Sequence, residues 1–163
     1  MTQSQSILLP LLLSTACAQA APVQFHDLVG VWNMSAAYRL HPDGTQSDDY
    51  GPAPRGLLIV MPDGRYCVQI YHTQRPPFTS QDYRNATPAE YQRAVLTAST
   101  HFGTLKLDQA RQRLVFQIAG ALNAGWDGTV QERPFELKGD TLSWRVPPRA
   151  DGDTPISVWK RSP

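Results

Sequence analysis

From residue 30 onward apolar and polar side chains alternate with a period of two, the pattern of strands that bury one face. Trp32, Met34, Ala36, Tyr38 and Leu40 share one phase, with Asn33, Ser35 and Arg39 in the other, and the run stops at His41-Pro42-Asp43-Gly44. Residues 56–61 and 65–72 follow as two strands joined by Pro62-Asp63-Gly64, a turn that makes them a hairpin. Further strands are expected at 104–108, 113–122, 129–138, 141–146 and 156–161, with Gly139-Asp140 as a tight turn, for a total of eight.

One stretch departs from this period. Thr87-Pro88-Ala89-Glu90 has the form of a capping box with proline at the first helical position. Tyr91, Val95, Ala98 and Phe102 then recur at helical spacing, which predicts an amphipathic helix of about four turns ending at Gly103. The proline-rich segment 73–80 before it is too stiff for a strand and is long enough to act as a lid or a connector.

The chain has 163 residues, 15 Lys+Arg against 14 Asp+Glu and a net charge of +1, a balance that argues against nucleic-acid binding. Length and the 41% apolar content suit one domain with a packed core. The 14 prolines and 11 glycines are spread as punctuation, which disfavours long helices. Residues 1–20 carry no charge and hold an apolar run from Ile7 to Leu13, too short for a span of about 20 residues. With Ala18-Gln19-Ala20 they read as an export signal cleaved before Ala21, leaving 21–163 as the domain. The other reading is a lipoprotein acylated at Cys17, with a poor lipobox. Secretion or a periplasmic location is expected, with membrane anchorage only through Cys17. Cleavage would leave Cys67 alone, and its place in a strand suits a buried, inert thiol.

Eight mostly antiparallel strands can close into a barrel with room for one small ligand, although alternation alone does not separate barrel from sandwich. Gly30-Val31-Trp32 resembles the Gly-x-Trp of lipocalins. The resemblance extends to the bacterial and fungal lipocalin-like domain family through Leu28-Val29-Gly30-Val31-Trp32, Tyr50-Gly51-Pro52-Ala53-Pro54-Arg55-Gly56 and Met61-Pro62-Asp63-Gly64-Arg65. The helix start at Thr87, Phe102-Gly103-Thr104 and Trp126-Asp127-Gly128-Thr129 continue it in order. It implies an all-β, eight-stranded antiparallel barrel with one helix between the third and fourth strands. It also implies a structural role for Arg161, packed on Trp32 to close one barrel end. Members often carry histidine in the strand that here reads Leu114-Val115-Phe116-Gln117-Ile118, so any base that relatives keep there is missing.

His26, His41, His72 and His101 show no metal-ligand spacing, and no nucleophile elbow, phosphate loop or Cys-x-x-Cys occurs; no cofactor is expected. Arg133 stands out. It shares its phase with Gln131, Phe135 and Leu137, which points it into the barrel unless Pro134 marks a bulge that turns it outward. An inward guanidinium would need a carboxylate or an anionic ligand. Tyr66 and His72 fall in phase with Val68 and Ile70 and could add polar contacts, His72 at the rim. Tyr38, Phe116, Trp126 and Trp144 would supply aromatic walls, as would Tyr50 and Phe78, most of them as core.

The favoured reading is a monomeric exported barrel that binds a small hydrophobic or amphiphilic ligand, with Arg133 as head-group anchor. The alternatives are an isomerase or cyclase that works in the cavity through Arg133, Tyr66 or His72, and a secreted inhibitor acting through the loop at 73–86, because a fold does not fix a function.

Overall fold

A computed structural model describes residues 22–80 and 82–163; the expected leader, its cleavage site and Cys17 lie outside the described residues. The strands are β1 (Gly30–Leu40), β2 (Gln46–Asp48), β3 (Arg55–Val60), β4 (Arg65–Tyr71) and β5 (Ala98–Asp108), then β6 (Arg113–Ala121), β7 (Val130–Lys138), β8 (Thr141–Arg145) and β9 (Thr154–Arg161). Every pairing is antiparallel between neighbours, and β9 pairs back onto β1 from Trp32↔Arg161 to Leu40↔Thr154. Eight strands therefore close a barrel, and closure leaves it no unpaired sheet edge. The short β2 pairs only with β1, outside the ring.

Among the described residues there is one α-helix, α1 (Pro88–Leu96), and it lies between β4 and β5. It was expected between the third and fourth strands, and the count is displaced by β2, whose polar Gln46-Ser47-Asp48 carries no alternating apolar signal. The helix begins as expected: Thr87 accepts from the Glu90 backbone, and the Glu90 carboxylate reaches back to the Thr87 amide. Its end does not match. Thr97 closes it, and Ala98 to Phe102 belong to β5, where they pair with Tyr71 to Cys67 of β4. The spacing of Ala98 and Phe102 suits either period, and a ladder along β4 satisfies more backbone groups than two further exposed turns would.

Strand β1 also departs from the expected pattern. The register with β9 slips between Met34 and Ala36, where Met34 pairs with Trp159 and Ala36 with Val158, so that Ser35 has no counterpart across the ladder. This bulge moves the inward phase from Trp32 and Met34 to Ala37, and Tyr38 passes to the opposite face beside its partner Ile156. The single phase predicted for Trp32 to Leu40 is thus broken halfway. Cys67, expected to be buried, is half-buried, because Tyr66, Val68 and Ile70 hold the inward phase of β4.

The two ends of the barrel differ. At one end the turns are short, and the 3-10 turn η1 (Phe25–Leu28) plugs the opening with Leu28, which is fully buried. Trp32 is fully buried behind it and donates through Nε1 to the Leu28 carbonyl at 2.9 Å. Gly30 sits at φ +134°, and a Cβ there would stand 3.1 Å from Arg161 Nη1, so the glycine of Gly-x-Trp leaves room for the arginine. Leu58, Val68, Leu105, Leu114, Phe116, Leu142 and Trp159 fill the barrel above it. At the other end the longer connections 41–54, 72–97, 122–129 and 146–153 surround an opening.

Candidate functional site

A cavity of about 470 Å³ occupies the open half of the barrel. Its walls come from Ile70, Ser99, His101, Gln131, Arg133 and Ser157 on the strands, and its rim from Tyr50, Asn123, Trp126 and the segment 146–150. Arg133 is on the floor side of this space, 2% exposed. It points inward although Pro134 follows it, because Pro134 faces Arg113 where the β6 ladder ends, and pairing with β8 starts only at Phe135. The proline thus sits at the end of both ladders, and the register with β6 runs through it without a shift, so the alternation is unslipped.

The Arg133 guanidinium lies 4.2 Å above the Phe116 ring and 5.8 Å from that of Trp144. Nη2 donates to Gln131 Oε1 at 2.9 Å and faces His101 Nε2 at 3.3 Å. Nε is buried with no partner, and no carboxylate pairs with the group among the described residues. Burial lowers its pKa to about 10, which leaves it charged at neutral pH. An unpaired buried charge costs several kcal/mol, roughly, so this floor is primed for an acceptor. Trp144 Nε1, close by, is likewise buried without an acceptor.

His101 links Arg133 to Tyr66. Its Nδ1 is 2.8 Å from the Tyr66 hydroxyl. An arginine has only donors, so Nε2 must accept from Arg133 and the imidazole proton sits on Nδ1, donated to the Tyr66 oxygen. Burial first, and the Arg133 charge second, push the His101 pKa down to about 3, so the ring is neutral. Burial also raises the Tyr66 hydroxyl above its ordinary value. Neither group exchanges protons readily near neutral pH, and both instead hold fixed hydrogen-bonding edges. His101 also sits edge-on to Phe116, Tyr66 and Trp126, with centroids 5.7, 5.3 and 5.9 Å away.

Among the eight residues expected to touch ligand, Arg133, Gln131 and Trp126 line the cavity. Tyr66, Phe116 and Trp144 pack behind them, in contact with His101 or Arg133. Tyr38 lines a separate outer depression with Pro134, Glu136 and Arg145. His72 follows β4 as a half-buried loop residue whose Nδ1 accepts from the Gln74 amide at 2.9 Å, and the cavity wall does not include it. His101 was missed, because the helical spacing from Tyr91 absorbed it; the alternation of Ser99, His101 and Leu105 was the signal that could have found it. The mouth also differs from expectation. The segment 73–80 packs on α1, with Phe78 against Tyr91, and the prolines at the cavity rim are Pro147 and Pro148. Arg149 of that rim reaches Asp49 across the mouth at 2.8 Å, and Asp49 also faces Arg39 at 3.4 Å.

A closed eight-stranded barrel with Arg161 stacked on Trp32 at 4.0 Å is the geometry that the Gly-x-Trp motif anticipates. A family model described as a lipocalin-like domain matches residues 29–162. The chain belongs to the lipocalin-like domain family. No curated protein matches it. Among solved structures, a mutant of the fluorescent protein UnaG is similar at 16% identity, covering 85% of this chain and 99% of that one, with a TM-score of 0.40. In this lipocalin-like domain the filled end supplies the barrel closure and the open end supplies a ligand-sized cavity.

Proposed function

We propose that this lipocalin-like protein is exported and binds a small hydrophobic or amphiphilic molecule through a carboxylate or polarised carbonyl held by Arg133. One observation carries the reading: the Arg133 guanidinium is buried at the floor of a cavity of about 470 Å³, with Nε unpartnered and no carboxylate on it among the described residues. Gln131, His101 and Tyr66 fix the orientation of that head group, and Trp126, Ile70 and Tyr50 form the wall around the apolar part. Pockets of this kind are mostly apolar with a few oriented polar groups. An acid–base role through His101 or Tyr66 has less support, because burial holds the His101 pKa down to about 3 and raises that of Tyr66, so neither of the two is poised to move a proton at neutral pH.

Titration of wild type and Arg133→Met with a fatty acid and its methyl ester, followed by tryptophan fluorescence from Trp126, tests the assignment. Loss of the guanidinium should weaken the acid by about 1.5–3 kcal/mol and the ester, whose carbonyl accepts without a charge, by clearly less. Equal loss for both would make Arg133 structural. Absence of binding to wild type would favour the inhibitor reading. Export is tested by intact mass: a chain that begins at Ala21 supports it, and a diacylated chain from Cys17 would place the protein on a membrane.

A further inference from the structure

Helix α1 presents the wrong residues to solvent. Its one buried side chain is Glu90, while Tyr91, Val95 and Leu96 are exposed, Leu96 to 71%. Tyr83, in the preceding 3-10 turn Tyr83–Asn85, is 64% exposed. This inversion has a cause on the inner side. Glu90 Oε1 accepts from the Thr79 amide and hydroxyl at 2.7 and 2.8 Å, and Oε2 accepts from those of Thr87 at 2.8 and 2.9 Å. The carboxylate thus binds segment 73–80 to the helix, and the apolar stripe is left to face outward.

Cations flank the helix on the side of Glu90. Arg55, Arg75 and Arg93 line one depression between the segment and the helix, and none of them pairs with a carboxylate among the described residues. Arg75 lies 4.8 Å from the Tyr71 ring and donates to the Ala94 carbonyl, which holds its charge at the surface. Among the described residues the only acid lining the depression is Glu90, already bound on both oxygens.

We propose that the flap formed by segment 73–80 and α1 docks the open end of the barrel on an anionic phospholipid surface, with Tyr83, Tyr91, Val95 and Leu96 entering the headgroup region and Arg55, Arg75 and Arg93 on the phosphates. Charge complementarity favours this occupant, since lipid phosphates would meet three guanidiniums that no carboxylate pairs among the described residues. The placement of the apolar side chains favours it as well: Val95 and Leu96 project from a short helix, with Tyr91 on it and Tyr83 in the turn before it, as in a helix that lies in a membrane interface. Among the described residues no helix is long and apolar enough to cross a membrane, so contact would be peripheral. The inference departs from the sequence-based expectation of no membrane contact beyond an acylated Cys17, and it does not depend on the ligand assigned to the cavity.

The test is flotation of the expressed chain carrying Cys17→Ser, so that no acyl group contributes, with vesicles of phosphatidylcholine alone or mixed equally with phosphatidylglycerol. Binding to the anionic vesicles only is expected, with loss at high salt. Val95→Asp with Leu96→Asp should lower partitioning about tenfold or more, and Arg75→Gln or Arg93→Gln about fivefold each. Leu96→Gln serves if the double variant fails to keep the wild-type thermal transition. Absence of binding at low salt would overturn the proposal, as would partitioning that the helix variants leave unchanged. So would a dimer, seen by sedimentation, that Leu96→Asp dissolves, because a second copy would then be the occupant.

Discussion

Two arginines in this barrel lie over aromatic rings at nearly the same distance, Arg161 at 4.0 Å from Trp32 and Arg133 at 4.2 Å from Phe116. At the closed end Arg161 donates to the carbonyls of Val29 and Asp27, and its Nε faces Asp140 at 3.5 Å. In the open half Arg133 has one amide oxygen and one imidazole nitrogen, and its Nε has nothing. The stacking is shared, and the accounting of hydrogen bonds is not. A guanidinium whose donors are satisfied by the chain completes the fold, whereas one left short of acceptors costs stability and waits for a partner from outside.

The largest test acts on the closed end. Trp32→Ala should lower stability by about 3–5 kcal/mol, the cost of emptying the volume of a large buried aromatic. Thermal unfolding that matches wild type would show that the plug at this end does not hold the barrel together.

Next comes the contrast between the arginines themselves. Arg161→Met should cost about 1.5–3 kcal/mol through its lost charged hydrogen bonds, whereas Arg133→Met should leave stability unchanged or raise it, since an unpaired buried charge is removed. Denaturant unfolding of the two variants decides this. A loss at Arg133 as large as that at Arg161 would erase the distinction.

A smaller effect concerns His101. Its folded pKa, about 3, lies below the ordinary 6.5, so the unfolded chain binds the extra proton between these values. Stability from this group is therefore complete above about pH 6.5 and declines as pH falls toward 3. Replacing His101 by Gln should flatten the slope of stability against pH between 5 and 6.5, and an unchanged slope would mean that the ring is not held neutral by the cavity floor. Arg133→Met should raise the His101 titration seen by NMR, because one of its two causes is gone.

The smallest is local. Four hydrogen bonds hold the Glu90 pKa down to about 2 against an ordinary 4.5, so the anchorage of the flap is complete above about pH 4.5 and is lost as pH falls toward 2. Glu90→Gln at neutral pH should speed amide exchange at Thr79 and Thr87 while leaving the barrel melting point almost unchanged. Slow exchange in that variant would show that the flap is held by other contacts.

Much of the barrel was legible from local pattern. The hairpin through Pro62-Asp63-Gly64 and the strands around Leu114, Phe135 and Leu142 follow from alternation and turn residues, because a two-residue period with one buried face fixes which side chains go inward. The cap at Thr87 was legible for the same reason, since its bonds lie within four residues. Pairing partners are not local. Whether Ala98 to Phe102 continue a helix or add a strand depended on the free edge of β4, and with that choice went His101. The β1 bulge that turned Tyr38 away arises from the match to β9, more than a hundred residues later in the chain. Arg133 shows the division most plainly: its phase was written in Gln131, Phe135 and Leu137, but its inward direction required Pro134 to fall where the β6 ladder ends and the β8 ladder has yet to begin. Side-chain periodicity is a property of the chain, while the loss of a ladder bond is a property of the neighbours, and only the closed sheet decides who they are.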